Sequence, residues 1–185
     1  MQKELPVRKK LRLQGYDYSS AGYYFLTICV EDGHEMLGKI VGDAVLCVPH
    51  TPHVPHTPHT PHVLHTPHVE LSDIGKIVKT YLEKMNTVFE HAFLETYVIM
   101  PNHVHLLVAI SDGTQRTASP TAVCRTQRTA SPTKAVIPRI VHGMKAVTTK
   151  EIGYSIWHRG YHDHIVRNQD EYQRIWQYID NNPAK

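Results

Sequence analysis

Two histidines, His103 and His105, flank Val104 in the run Met100-Pro101-Asn102-His103-Val104-His105-Leu106-Leu107-Val108. The run otherwise reads as a buried strand. Strand side chains alternate between faces, so both imidazoles point to one side and Val104 to the other. Two imidazoles on one rigid strand can ligate a single divalent cation. The chain holds 15 histidines, so the triplet alone is weak evidence. A second triplet, His162-Asp163-His164, has a polar centre and lacks the apolar side that would anchor it in a sheet.

A helical segment at the C-terminus adds a nucleophile. Tyr178 and Asn182 are four residues apart and share a helix face. Tyr172 lies six residues from Tyr178, about 240° around the helix, so the two phenols cannot aim at one point. A phenol titrates near 10 and attacks poorly unless activated. A cation that polarises a phosphate would help by stabilising the charge of the transition state. On periodicity alone, the better reading of Tyr178 is a core residue packing with Ile175 and Ile179.

The elements that must position these groups are legible. Residues 23–30 are aromatic and β-branched and read as a central strand. After Gly33 and Gly38, Lys39–Val48 reads as a second strand in a hairpin with the first. Ser72 is a plausible N-cap for a helix over Asp73–His91, with Leu71, Ile74, Val78, Tyr81, Leu82, Met85 and Phe89 on one face. Leu94–Met100 and His103–Ile110 read as strands joined by a turn at Pro101-Asn102. A second helix is expected over Ala135–Lys150, with Pro138 in its first turn. Strand-like residues span Ser155–Val166, and a last helix covers Gln169–Asn181, ending before Pro183. The order β-β-α-β-β-α-β-α predicts an α+β fold, a mostly antiparallel sheet with helices packed on one face.

Two biased segments interrupt this pattern. In residues 49–68 histidine recurs every third position, at His50, His53, His56, His59, His62, His65 and His68, mostly in Thr-Pro-His units. Proline at this density favours polyproline II, whose three residues per turn would line the imidazoles along one edge. That edge could bind nickel, copper or zinc; a lengthened solvated loop is the simpler reading. In residues 111–133 the octapeptide Thr-Gln-Arg-Thr-Ala-Ser-Pro-Thr occurs at 114–121 and again at 126–133, as expected of a duplication in a tolerant loop. The 185 residues are expected to form one domain, 1–185, carrying these two insertions.

The net charge is +3 with histidines neutral, compatible with a nucleic-acid partner without indicating one. Arg8, Lys9, Lys10 and Arg12 cluster ahead of the first strand, as a phosphate-contacting arm or a solubilising tail. The three cysteines are far apart and form no CxxC pair, which argues against a disulfide framework or a thiolate zinc site. With no apolar run long enough to span a bilayer, a cytoplasmic protein without a membrane partner is expected.

Taken in order, the motifs resemble the single-tyrosine HUH transposases, specifically the REP-associated tyrosine transposase branch. The matching pieces are Arg12-Leu13 with Gly15-Tyr16-Asp17-Tyr18, and Gly22-Tyr23-Tyr24-Phe25-Leu26-Thr27. They continue with Tyr97-Val98-Ile99-Met100-Pro101-Asn102-His103-Val104-His105, Ile156-Trp157, and Tyr161 through Asn168. The last are Tyr178-Ile179 and Asn182-Pro183. They cover most of the chain outside the biased segments, and the ordered set is far more specific than any single piece.

The resemblance implies a ferredoxin-like fold with the His103–His105 strand central in the sheet. It implies that His103 and His105 ligate Mg²⁺ or Mn²⁺, with Asn182 at the position of an amide-type third ligand. Tyr178 would attack a DNA phosphate, leaving a 5′-phosphotyrosine link and a free 3′-OH. The implied substrate is single-stranded DNA with short REP-like hairpins, handled by a monomer or a homodimer. Lys145, Arg159 and Arg167 are candidates for phosphate contact, with an ion pair to Asp163 or Asp170 as the alternative for Arg167. Tyr16, Tyr18 and Trp157 are candidates for base stacking, with core packing as the alternative for Trp157. Two rival functions remain. One is a domesticated relative that grips DNA hairpins without cutting. The other is a metal-binding protein built on His50–His68.

Overall fold

The computed structural model describes residues 16–42, 67–111 and 135–183. The basic residues Arg8, Lys9, Lys10 and Arg12, the histidines from His50 to His65, and the duplicated octapeptide lie outside the described residues.

Four strands form one sheet in the order β4-β5-β1-β6, namely β4 (Ala92–Met100), β5 (His103–Ile110), β1 (Gly22–Cys29) and β6 (His162–Val166). Every neighbouring pair is antiparallel. Helix α1 (Asp73–Val88) connects β1 to β4 after a small excursion, α2 (Val136–Ile152) connects β5 to β6, and α3 (Gln169–Asp180) follows β6. Without the excursion and α3 this is the ferredoxin-like arrangement, and the fold class matches the expectation.

The sheet has two different sides. Tyr24, Leu26 and Ile28 of β1 and Val104, Leu106 and Val108 of β5 point to one side and are essentially inaccessible. They pack with Val78, Leu82 and Met85 of α1 and Ile137, Ile140 and Met144 of α2. Each such aliphatic side chain contributes about 1.5–3 kcal/mol on burial. The opposite side carries Tyr23, Phe25 and Thr27 of β1 with His103, His105 and Leu107 of β5, in antiparallel register. Helix α3 lies over this side, its Tyr172 packed edge-on against Tyr23 and its Tyr178 against Phe25. The expectation that all helices share one face therefore holds for α1 and α2 but not for α3. The reason is compositional. Ile179 is the one fully buried residue of α3, so this helix has too little apolar surface to join the main core.

The expected hairpin between β1 and the next strand does not form. Strand β2 (Gly38–Val41) pairs instead with β3 (His68–Leu71) in a separate two-stranded sheet. Both long edges of β1 are already taken by β5 and β6. The sequence reading placed residue 68 at the end of a loop, so β3 was missed. Helix α1 also ends three residues earlier than expected, because Phe89 is extended and turns the chain towards β4. Its start is as expected. Ser72 accepts from the Gly75 amide at 3.0 Å and donates to the Met36 carbonyl at 2.6 Å. Gly75 is required there, since a Cβ would collide with the Leu37 carbonyl oxygen.

Candidate active site

The turn at Pro101-Asn102 presents the histidine pair, and the chain around it is tied down on both sides. Val30 donates to the Asn102 carbonyl and Leu37 to the Pro101 carbonyl, each at 2.9 Å. The pairs Cys29–His103 and Thr27–His105 fix the register of β1 against β5. Val104, between the histidines, is completely buried in the main core. A one-residue slip would exchange the two sides, so the apolar side enforces the orientation of the imidazoles.

The two Nε2 atoms of His103 and His105 converge to 3.0 Å. Each Nδ1 points away and has its own partner. Asn102 Oδ1 lies 2.7 Å from His103 Nδ1, and Thr27 Oγ1 lies 2.9 Å from His105 Nδ1. Phe25 stacks on the His105 ring with centroids 5.1 Å apart. His105 is 6% exposed. Burial, and secondarily the neighbouring His103, push His105 down to about 4, and burial also lowers His103. Both rings are therefore neutral at physiological pH, the form that donates a lone pair to a cation.

Tyr178 completes the cluster. Its phenol oxygen is 3.3 Å from His105 Nε2, and its ring meets Phe25 and His105 edge-on. The side chain is nonetheless 46% exposed, open to a ligand arriving from solvent. Tyr172 is placed otherwise. Its hydroxyl donates to Glu95 at 3.4 Å, and burial together with Glu95 pushes it up to about 12. The junction leading into α3 is a hydrogen-bonded knot. Asn168 caps the helix by accepting from the Glu171 amide at 2.9 Å. Glu171 accepts from the Arg167 amide at 2.8 Å and meets His164 Nε2 at 2.7 Å.

Other candidates are placed less centrally. Asn182 lies one turn beyond Tyr178, and its amide donates to the Tyr178 carbonyl at 2.8 Å. Its amide thus bonds to the backbone that carries the phenol, not to either imidazole. Arg159 and Arg167 are exposed, and Arg167 makes no ion pair with Asp163 or Asp170. Lys145 is not an open phosphate contact. Its ammonium donates to the carbonyls of His158 and Gly160, both at 2.7 Å, and burial lowers its pKa. Tyr18 is 6% exposed and packs edge-on against Tyr16, because the aromatic run that resembled a stacking surface closes one end of the core. Trp157 is likewise buried, its indole donating to Thr148 Oγ1 at 2.9 Å. The sequence reading passed over Thr27, Asn102 and Phe25 as site residues. The two-residue alternation of β1 opposite β5 was the signal that could have found Thr27 and Phe25.

Among the described residues no group of three or more His, Cys, Asp or Glu side chains could hold a metal ion, so a cation here would rest on two imidazoles and oxygen donors of another kind. No helix among the described residues is long and apolar enough to cross a membrane.

No protein-family model matches the chain. An uncharacterized protein of Haemophilus influenzae is 30% identical over 183 residues, covering 95% of this chain and 88% of that protein. Among solved structures, a REP-associated tyrosine transposase bound to a REP hairpin superposes with a TM-score of 0.54 at 13% identity, covering 100% of this chain and 73% of the other.

Proposed function

From the premise that this chain belongs to the family of the Haemophilus influenzae protein and has the fold of a REP-associated tyrosine transposase, we propose that it is a transposase-type enzyme. It cleaves and rejoins single-stranded, hairpin-bearing DNA through a tyrosine-linked intermediate. The observation that carries this reading is the 3.3 Å approach of the Tyr178 oxygen to His105 Nε2, beside the converging His103 Nε2.

The chemistry follows from the groups present. Tyr178 attacks a backbone phosphorus, forming one P–O bond while the bond to the 3′ oxygen breaks. The phosphate stays joined to the 5′ side through tyrosine, and the leaving 3′ oxygen gains a proton. Attack by a 3′-OH on that linkage reverses the step and restores the phenol. Bond energy is conserved throughout, so no nucleotide cofactor is needed.

The imidazole pair fits a divalent cation, with both Nε2 atoms aimed at one point and both Nδ1 atoms engaged elsewhere. Two nitrogens combined with phosphate oxygens make a mixed set that suits Mn²⁺; Mg²⁺, bound chiefly through oxygen, suits it less well. Such a cation would neutralise charge on the scissile phosphate. Asn182 is the candidate to add an amide oxygen, after a turn of its side chain away from the Tyr178 carbonyl. Phe25 shields one side of His105, and exposed Arg159 and Arg167 are the candidates for holding flanking phosphates.

Incubation with a hairpin oligonucleotide and Mn²⁺ tests the reading. A DNA adduct that survives denaturation and disappears in Tyr178→Phe supports it. Tight binding with no adduct would leave a hairpin-gripping module in its place.

A further inference from the structure

The hydrogen bonds behind the two imidazoles are of different kinds. The Asn102 amide is oriented by its Nδ2, which donates to the Gly33 carbonyl at 3.3 Å, so Oδ1 is the atom facing His103. A carbonyl oxygen only accepts. His103 must therefore carry its proton on Nδ1, which leaves Nε2 with a free lone pair. Thr27 is a hydroxyl, which both donates and accepts. It can serve His105 Nδ1 whichever ring nitrogen is protonated.

Proton counting then fixes the second ring. The 3.0 Å contact between the two Nε2 atoms needs one proton between them, and His103 has none to give. His105 supplies it from Nε2, and Thr27 donates to the bare Nδ1 at 2.9 Å. A cation between the rings needs the other form of His105, with Nε2 bare and the proton on Nδ1. Thr27 can follow by rotating its hydroxyl to accept.

We propose that Asn102 and Thr27 are positioning residues with divided roles: Asn102 commits His103 to one tautomer, and Thr27 allows His105 to exchange tautomers when a divalent cation arrives. This rests on the reading of His103 and His105 as cation ligands. The proton that leaves Nε2 reappears on Nδ1 of the same ring through solvent, so no net charge changes. Partners of this kind, behind a ligand histidine, typically change cation affinity 10–100-fold.

The test is ¹⁵N NMR of the histidine rings in the whole protein, without cation and through a Mg²⁺ titration. Without cation, the expected spectrum shows His103 protonated at Nδ1 and His105 at Nε2; with Mg²⁺, the His105 signals exchange and those of His103 keep their pattern. Thr27→Val should weaken Mg²⁺ binding about tenfold or more, and Thr27→Ser should restore it. Asn102→Ala should let His103 populate both tautomers before any cation is added. Finding His105 protonated at Nδ1 without cation, or wild-type Mg²⁺ affinity in a folded Thr27→Val protein, overturns the role of Thr27. A wild-type spectrum indifferent to Mg²⁺ and to Mn²⁺ broadening overturns the cation reading and the exchange with it. Finding His103 protonated at Nε2 without cation overturns the role of Asn102.

Discussion

Tyr178 and His105 meet across the gap between the last helix and the central strand, 73 positions apart in the chain, with the phenol oxygen 3.3 Å from the imidazole Nε2. This contact spans the side of the sheet that the main core does not use. It brings the one strongly exposed tyrosine of α3 to the most buried histidine of the described chain.

Removing that phenol oxygen should separate chemistry from stability. Tyr178→Phe is expected to shift the unfolding free energy by no more than about 0.5 kcal/mol, as for other exposed sites, while abolishing the DNA adduct. Tyr172→Phe should keep the adduct, since that hydroxyl is turned to Glu95. Denaturing gels of both variants with a labelled hairpin check this, and an adduct persisting in Tyr178→Phe would move the nucleophile elsewhere.

Acid should destabilise the fold through the histidine pair. Burial and the neighbouring His103 hold His105 at about 4, whereas an unfolded histidine titrates near 6.5. Between those values the unfolded chain binds more protons, so stability is complete above pH 6.5 and declines as the pH falls towards 4. The share from His105 is at most about 3 kcal/mol. Urea unfolding at pH 7.5 and pH 5 should show a smaller drop for His105→Gln than for wild type; equal drops would place the acid sensitivity in other groups.

Lys145 should prove architectural. Its ammonium links α2 to the carbonyls of His158 and Gly160. Lys145→Met is expected to cost about 1–3 kcal/mol of stability, by leaving those bonds unmade, and to spare the salt dependence of DNA binding. A salt slope reduced by about one unit with unchanged stability would restore Lys145 as a phosphate contact.

The junction into α3 should govern where Tyr178 sits. Glu171→Ala removes the acceptor for the Arg167 amide and the partner of His164, and is expected to cost about 1 kcal/mol. The larger effect should be on rate, because small misplacements of a reacting group cost up to about a hundredfold. Single-turnover adduct formation measures it; a wild-type rate in this variant would mean that the Asn168 cap and the packing of Tyr172 and Ile179 hold the helix without Glu171.

Gly75 should tolerate no side chain. A Cβ would overlap the Leu37 carbonyl oxygen, so Gly75→Ala is expected to cost about 1–3 kcal/mol despite alanine's better helix propensity. Thermal unfolding checks the sign, and a stabilised variant would mean that the Leu37 carbonyl can move away from α1.

Much of this was readable in advance because local patterns were strong. The β5 alternation placed His103 and His105 together, and Ser72 marked the start of α1. What escaped was set by competition between distant segments. Lys39–Val41 had strand character, but nothing in it reveals that β5 and β6 occupy both edges of β1. Tyr18 and Trp157 looked like stacking surfaces because aromatic side chains serve cores and ligands alike. Lys145 looked like a free cation because sequence does not show which carbonyls a loop will turn towards it. Asn102 directly precedes His103, yet its orientation depends on where the Gly33 carbonyl falls.

The alternation of β5 also bears on how such a protein can change over evolutionary time. Residues 104, 106 and 108 face the main core and secure folding, while 103 and 105 lie on the opposite side of the sheet, His103 partly exposed and His105 buried. A lineage can therefore shed the partly exposed His103 ring in a single step and still inherit a folded protein, whereas loss of the buried His105 would unsettle the fold as well.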